Sequence, residues 1–171
     1  MKSTKPPINK KLPKDQIRAE AANIAQPTPL ETKIFSLLRA EKHGGRQSVH
    51  HENPYVVLKY FQADWEYFSD WTQDELKQFS SFLTTFGQHT WDSVYKSGGK
   101  GGQKAGLGYT PYQIADMKNG KSHLEKVSRV LAEDIGFFEL RISQKIRVHG
   151  FQAQAAFFLV LLDRGHRVFP G

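Results

Sequence analysis

The chain contains no cysteine, and that absence excludes several kinds of chemistry. Disulfides, thiolate nucleophiles and zinc sites with cysteine ligands are ruled out. Three histidines, His43, His50 and His51, lie around a Gly-Gly-Arg-Gln-Ser stretch that has turn chemistry and no helical ligand spacing. We therefore predict no metal site.

Long hydrophobic runs are also missing. The longest uninterrupted apolar run, residues 155–162, has eight residues, whereas a membrane-spanning helix needs about 20. The Lys-rich residues 1–14 are followed by no apolar region, which is unlike a secretory signal. These absences predict a soluble cytoplasmic protein with no membrane partner.

Acidic residues are fewer than basic ones, 17 against 24, so the formal net charge is +7 and the sequence pI is about 9.6. A basic surface favours anionic partners, of which nucleic acid and anionic lipid are the usual classes. Charge alone does not choose between them.

A length of 171 residues suits one domain with a real core and is too short for two comfortable ones. Residues 1–28 read as a basic, partly disordered arm, because residues 1–14 hold five Lys and three Pro. We expect residues 29–171 to form a single α+β domain. In it, N-terminal and central helices pack on a C-terminal antiparallel β-meander, and residues 55–60 form a short strand at an edge of the sheet.

Capping residues and apolar periodicity predict the helices. One helix begins at Thr28. The clearest begins at Thr72, where Glu75 completes a capping box and apolar residues recur on one face. Trp91 is expected to anchor a short helical turn or an irregular segment. Residues 122–132 are expected to form another amphipathic helix.

Residues 96–108 contain six Gly and three Lys without an apolar period, and they predict a flexible cationic loop. The spacing is not that of a nucleotide-binding phosphate loop, and no strand precedes it, so we expect no cofactor. Two interpretations stay open. The loop is either a solvated connection or a clamp in which Lys100 and Lys104 contact a nucleic-acid backbone.

The C-terminal 36 residues, 136–171, show the strongest strand pattern. Residues 138–143 and 145–149 alternate between apolar and polar side chains, as half-buried strands do. Residues 155–162 are continuously apolar, which is typical of a strand buried on both faces. After a turn at Asp163, residues 166–169 are expected to form a fourth strand.

The alternation places Ile146 and Val148 on the buried side of their strand, so Lys145, Arg147 and His149 share a side that we expect to face solvent. Such a face suits RNA cleavage by attack of the ribose 2′-hydroxyl on the adjacent phosphate. That reaction needs a base, an acid and positive charge near the phosphate, and requires no metal.

We assign His149 and His166 as the candidate base and acid, since an unperturbed imidazole titrates near neutral pH, and Arg147 as the catalytic phosphate-binding arginine. Asp163 either orients a histidine or caps the turn. Tyr109 or Tyr112 stacks a base or donates a proton. The predicted nucleic-acid contacts are Lys145, Arg141, Arg167, Lys100, Lys104 and Tyr109.

The order of elements, with helices followed by a basic meander, resembles the RelE/ParE group of small bacterial toxins. The likeness is carried by Lys-Ile-Arg-Val-His-Gly-Phe at 145–151, then an apolar strand, then Leu-Asp-Arg-Gly-His-Arg-Val-Phe-Pro at 162–170. It covers about the last 35 residues. The resemblance implies a metal-independent endoribonuclease, a toxin or phage-defence effector held by an antitoxin, with Arg147 binding phosphate and His166 as the C-terminal catalytic histidine.

Two other interpretations remain open. One is a non-catalytic module that holds nucleic acid with the same basic face. The other is a protein-binding regulatory or inhibitory protein that uses Trp65, Tyr67 and Trp71 as exposed contacts. The sequence does not determine the oligomeric state.

Overall fold

The computed structural model describes residues 49–98 and 106–170, which form an α+β fold as the sequence predicts. The predicted basic arm, the helix from Thr28, and Lys100 and Lys104 of the Gly/Lys loop lie outside the described residues. Within those residues the elements are β1 (Tyr55–Val57), α1 (Gln73–Gln88), α2 (Trp91–Lys96), β2 (Thr110–Tyr112), α3 (Lys121–Ser128), β3 (Phe137–Arg141), β4 (Arg147–Ala153) and β5 (Ala156–Asp163).

The strands form one mixed sheet in the order β1-β5-β4-β3-β2. Antiparallel pairing of β3 with β4 and of β4 with β5 confirms the predicted C-terminal meander. β2 joins one edge antiparallel to β3. β1 lies at the other edge, where Tyr55 pairs with Ala156 in parallel, so the predicted edge strand near residue 55 is confirmed.

The first face of the sheet is covered by α1 and α2. α1 begins after Thr72, whose hydroxyl forms the predicted capping box with Glu75. α2 places Trp91 against the sheet, where its Nε1 donates to the Ala155 carbonyl at 3.0 Å and its side chain is fully buried. The helix residues buried in this apolar cluster are Phe79, Phe82, Phe86, Trp91 and Val94.

The second face is covered by α3 and its neighbouring segments. Leu124 and Val127 of α3 pack there, together with Met117 before the helix and Val168 after β5. Because α3 also has an apolar side to bury, it packs on the face of the sheet that the sequence pattern predicts to be exposed to solvent. The prediction of a solvent-exposed polar face on β4 is therefore wrong.

The predicted fourth strand of the meander is also absent, since a turn at residues 164–165 is followed by irregular residues 166–167 and a bend at 168–169. The Asp163 carboxylate accepts hydrogen bonds from the backbone N–H of Arg167 at 2.7 Å and of Val168 at 3.0 Å. His166 has a φ of 54°, a conformation that does not continue a strand. These contacts turn the chain across the second face.

Candidate active site on the second face of the sheet

Five ionisable side chains occupy neighbouring positions on the second face, and we call them the charged cluster: Glu139, Arg141, Arg147, His149 and Asp163. The strand register pairs Glu139 with His149, Arg141 with Arg147, and Arg147 with Asp163. Directly paired residues share a face of the sheet. All but Arg141 are 8% exposed or less. Such a concentration of buried charge marks either a functional site or a structural network.

His149 is fully buried and hydrogen-bonded at both ring nitrogens. Its Nδ1 lies 3.1 Å from the Tyr112 hydroxyl, and its Nε2 lies 3.4 Å from Oδ2 of Asp163. The prediction that His149 faces solvent is therefore wrong. It occupies the interior because Tyr112 and Phe169 pack against its ring.

Tyr112 supplies the proton in its contact with His149. Burial raises the pKa of the Tyr112 phenol well above its ordinary value, and the charges of Glu139 and Asp163 raise it further. The phenol is therefore protonated at neutral pH and donates to Nδ1. In neutral His149 the proton then resides on Nε2, which donates to Asp163.

Asp163 holds both the histidine and the turn after β5. Burial alone raises its pKa, but hydrogen bonds from His149 and from the Val168 and Arg167 amides outweigh that effect and bring the pKa below its ordinary value. The carboxylate is therefore charged at neutral pH. Both alternatives left open by the sequence apply, because Asp163 orients a histidine and also closes the turn.

Arg147 is 6% exposed, and its guanidinium closes the hairpin between β3 and β4. Its Nη1 donates to the carbonyls of Ser143 at 2.8 Å and Ile146 at 3.0 Å. Burial lowers the Arg147 pKa, and the nearby Glu139 carboxylate opposes that shift. The Nε atom lies 3.6 Å from Oε1 of Glu139. Most of its donors therefore serve the hairpin, and Nε faces the charged cluster.

Among the described residues, three buried polar atoms of the charged cluster have no hydrogen-bond partner: Oε2 of Glu139, Nε of Arg141 and Nε of Arg147. An unsatisfied buried polar group costs about 1–3 kcal/mol, so such atoms need an explanation, and a bound substrate is one. Sequence reasoning missed Glu139. The signal was its position on the polar side of the alternating strand, two residues before Arg141.

The remaining predicted site residues are spread around the cluster. Lys145 is exposed in the β3–β4 hairpin, Arg141 is partly exposed at the end of β3, and His166 is partly exposed in the turn after β5. Arg167 is exposed at the surface, but its Nη2 donates to Glu66 at 2.8 Å. The partly buried Tyr109 ring packs against the apolar cluster of the first face, 4.8 Å from that of Phe138 between ring centroids.

The aromatic residues of the protein-binding interpretation do not form one exposed surface. Trp71 is 5% exposed and donates from Nε1 to Glu66 at 2.6 Å. Trp65 is partly buried and donates to the Leu162 carbonyl at 2.7 Å. Only Tyr67 of the three is exposed, at 53%. The indoles act as packing residues because their N–H groups find partners inside the fold.

Within residues 49–98 and 106–170, no group of three histidine or carboxylate side chains is placed to hold a metal ion. Nor does any helix in that part of the chain have the length and apolar content to cross a membrane. Comparisons of the chain with protein-family models, with curated proteins and with solved structures each found no match.

Proposed function

We propose that the protein is an endoribonuclease that cleaves RNA by 2′-hydroxyl attack, with the charged cluster as its site. One observation carries the proposal. A carboxylate and two arginines lie side by side on adjacent strands, and each has a buried polar atom without a hydrogen-bond partner among the described residues. A carboxylate beside two cations is suited to take a proton and to stabilise a developing phosphate charge.

In the proposed reaction Glu139 replaces His149 as the general base. Its carboxylate takes the proton of the ribose 2′-hydroxyl, and that oxygen forms a bond to phosphorus as the bond from phosphorus to the 5′-oxygen breaks. The leaving 5′-oxygen takes a proton from a general acid, for which the partly exposed His166 is the candidate. The products are a 2′,3′-cyclic phosphate and a 5′-hydroxyl.

The two arginines act on the phosphate. Arg141 and Nε of Arg147 supply positive charge as negative charge builds on the phosphate oxygens. Arg147 is anchored by the carbonyls of the hairpin, so it needs little reorganisation during the reaction. His149 does not touch the substrate in this scheme. Held by Tyr112 and Asp163, it is a positioning residue behind Glu139.

The wider role is the one that the resemblance of the closing strands to RelE/ParE toxins implies. We propose a growth-inhibiting toxin or phage-defence effector that acts on RNA in the cytoplasm and is restrained by an antitoxin protein. The order of the basic strand β4, the apolar strand β5 and the basic turn with His166 supports this proposal. The net charge of +7 also suits an RNA substrate.

A second candidate is a module that binds nucleic acid without cleaving it. The complete burial of His149 and Asp163, and the use of Arg147 donors by the hairpin, favour it, because both are expected of a structural network. It predicts intact RNA and binding that weakens steeply with salt.

The test incubates the purified protein with mixed RNA, and separately with translating ribosomes, in the presence of a chelator. We expect fragments that end in a 2′,3′-cyclic phosphate. Glu139→Gln should slow cleavage by about 100-fold or more, while Glu133→Gln, at an exposed position, should cleave at the wild-type rate. Arg141→Ala and the exposed Arg129→Ala form a second matched pair.

Intact RNA with folded wild-type protein on both substrates would remove the endoribonuclease proposal. Salt-sensitive RNA binding in the same samples would then support the second candidate. Cleavage that continues normally in folded Glu139→Gln would show that the base lies elsewhere.

A further inference from the structure

A groove of about 370 Å³ lies beside α1, where the chain approaches β2 and where β3 ends. Its polar wall comes from α1, and its far side comes from the residues before β2 and from Arg141. The principal lining residues are Lys77, Ser81, Phe82, Thr85, Leu107 and Arg141. The volume is at the small end of the roughly 300–1,000 Å³ typical of ligand pockets, so the groove suits one small group rather than a double helix.

The lining of the groove has the chemistry of a nucleotide site. It includes two cations, Lys77 and Arg141, and no carboxylate. Lys77 has Asp74 as a neighbour at 3.4 Å, but both side chains are more than two-thirds exposed, so water screens this pair and leaves the ammonium able to meet a phosphate. Phe82 and Leu107 provide an apolar floor, on which an unpaired base can lie.

Arg141 connects this groove to the charged cluster. The residue lines the groove and also pairs across the strands with Arg147. α1 covers the first face of the sheet and the charged cluster lies on the second, so Arg141, at the end of β3, is the residue that the groove and the cluster share. The hydroxyl groups of Ser81 and Thr85 line the groove and can form hydrogen bonds with a sugar or with a base edge.

We infer that this groove binds one unpaired nucleotide of an RNA strand, and so makes single-stranded RNA the substrate class. The choice of RNA as the ligand rests on the proposed function, because Arg141 belongs to both the charged cluster and the groove. Its occupant is a base on the apolar floor with a phosphate near Lys77 and Arg141.

Ser80 and Ser81 provide a matched pair for the test. They are neighbouring exposed serines of α1, and only Ser81 lines the groove. Ser81→Glu places a carboxylate in the proposed phosphate path, whereas Ser80→Glu makes the same change of net charge outside it. The probe is a single-stranded 2′-O-methyl oligonucleotide, which binds but cannot be cleaved by 2′-hydroxyl attack.

We expect Ser81→Glu to raise the dissociation constant about tenfold more than Ser80→Glu does, and a fully paired 2′-O-methyl duplex to bind more weakly than the single strand. Thr85→Glu repeats the measurement at a second groove residue, in case Ser81→Glu does not fold. Equal effects of the groove variants and Ser80→Glu, or preferred binding of the duplex, would overturn the inference.

The two proposals fail in different ways. If wild-type protein leaves RNA intact but groove variants selectively lose the oligonucleotide, the endoribonuclease proposal falls and the nucleotide site stands. If RNA is cleaved but the groove variants match Ser80→Glu in binding, the nucleotide site falls and the cleavage proposal stands.

Discussion

Glu139 on β3 and His149 on β4 are direct cross-strand partners, and both are buried on the second face of the sheet. His149 is held from its other sides by Tyr112 and Asp163. The carboxylate therefore lies beside an imidazole that has a defined tautomer and orientation. The sequence predicts this face as a solvent-exposed basic surface. In the structure it is instead a buried network of polar side chains that includes the Glu139 carboxylate.

Asp163→Asn should destabilise the fold by about 3 kcal/mol, because it removes a buried charge that accepts from two backbone amides and from His149. Urea unfolding followed by circular dichroism measures the loss. Asp134→Asn, at an exposed position, is the control and should stay within about 0.5 kcal/mol of wild type. Equal stability of the two variants would contradict the role given to Asp163.

The contribution of Asp163 should also depend on pH. Its folded pKa lies below the ordinary value, so its stabilisation is fully present above the unfolded pKa of about 3.9 and is lost as pH falls through the folded pKa. The measurement is the free energy of unfolding of wild type and Asp163→Asn from neutral pH down to about pH 3. The gap between the two proteins should hold until about pH 5 and then narrow. A gap that stays constant throughout would show that the charge does not stabilise the fold.

Tyr112→Phe should cost about 1–2 kcal/mol, because it removes the hydroxyl that donates to His149 and leaves a buried nitrogen unsatisfied. The ring itself remains packed 4.8 Å from that of Phe169. Tyr67→Phe, at the exposed tyrosine, serves as the comparison. We also expect the pH profile of RNA cleavage to shift in Tyr112→Phe, a change that loss of stability alone does not produce.

Gly150→Ala should prevent normal packing of the sheet. A methyl group there would collide with the carbonyl oxygen of Phe158 and with the Phe157 ring on β5, so we expect a loss of about 3 kcal/mol or more. Gly136→Ala adds the same methyl where no atom of the described residues lies within 4 Å. Thermal unfolding of the two variants should therefore differ clearly, and a small effect of Gly150→Ala would mean that β4 and β5 can separate locally.

Local patterns were sufficient to predict much of this fold. Thr72 and Glu75 predict the beginning of α1, because a capping box is read from residues three apart. The alternation along β3 and β4 and the apolar run of β5 predict the meander. The prediction of a strand at residues 166–169 was wrong. The Asp163 carboxylate accepts hydrogen bonds from the Arg167 and Val168 amides and so forms a turn, which strand propensity alone does not reveal.

The alternation of apolar and polar residues is enough to predict that Arg147 and His149 share one side of a strand, and β4 carries both of them. Lys145, which was predicted on the same side, lies before β4 in the hairpin. The tertiary structure covers this side of β4, because the apolar residues of α3 are buried against it. It also decided the partners of His149: Tyr112 is 37 residues away in the chain, and Glu139 meets it through the strand register. Alternation is a local property of the backbone, whereas burial and pairing arise from contacts between distant segments.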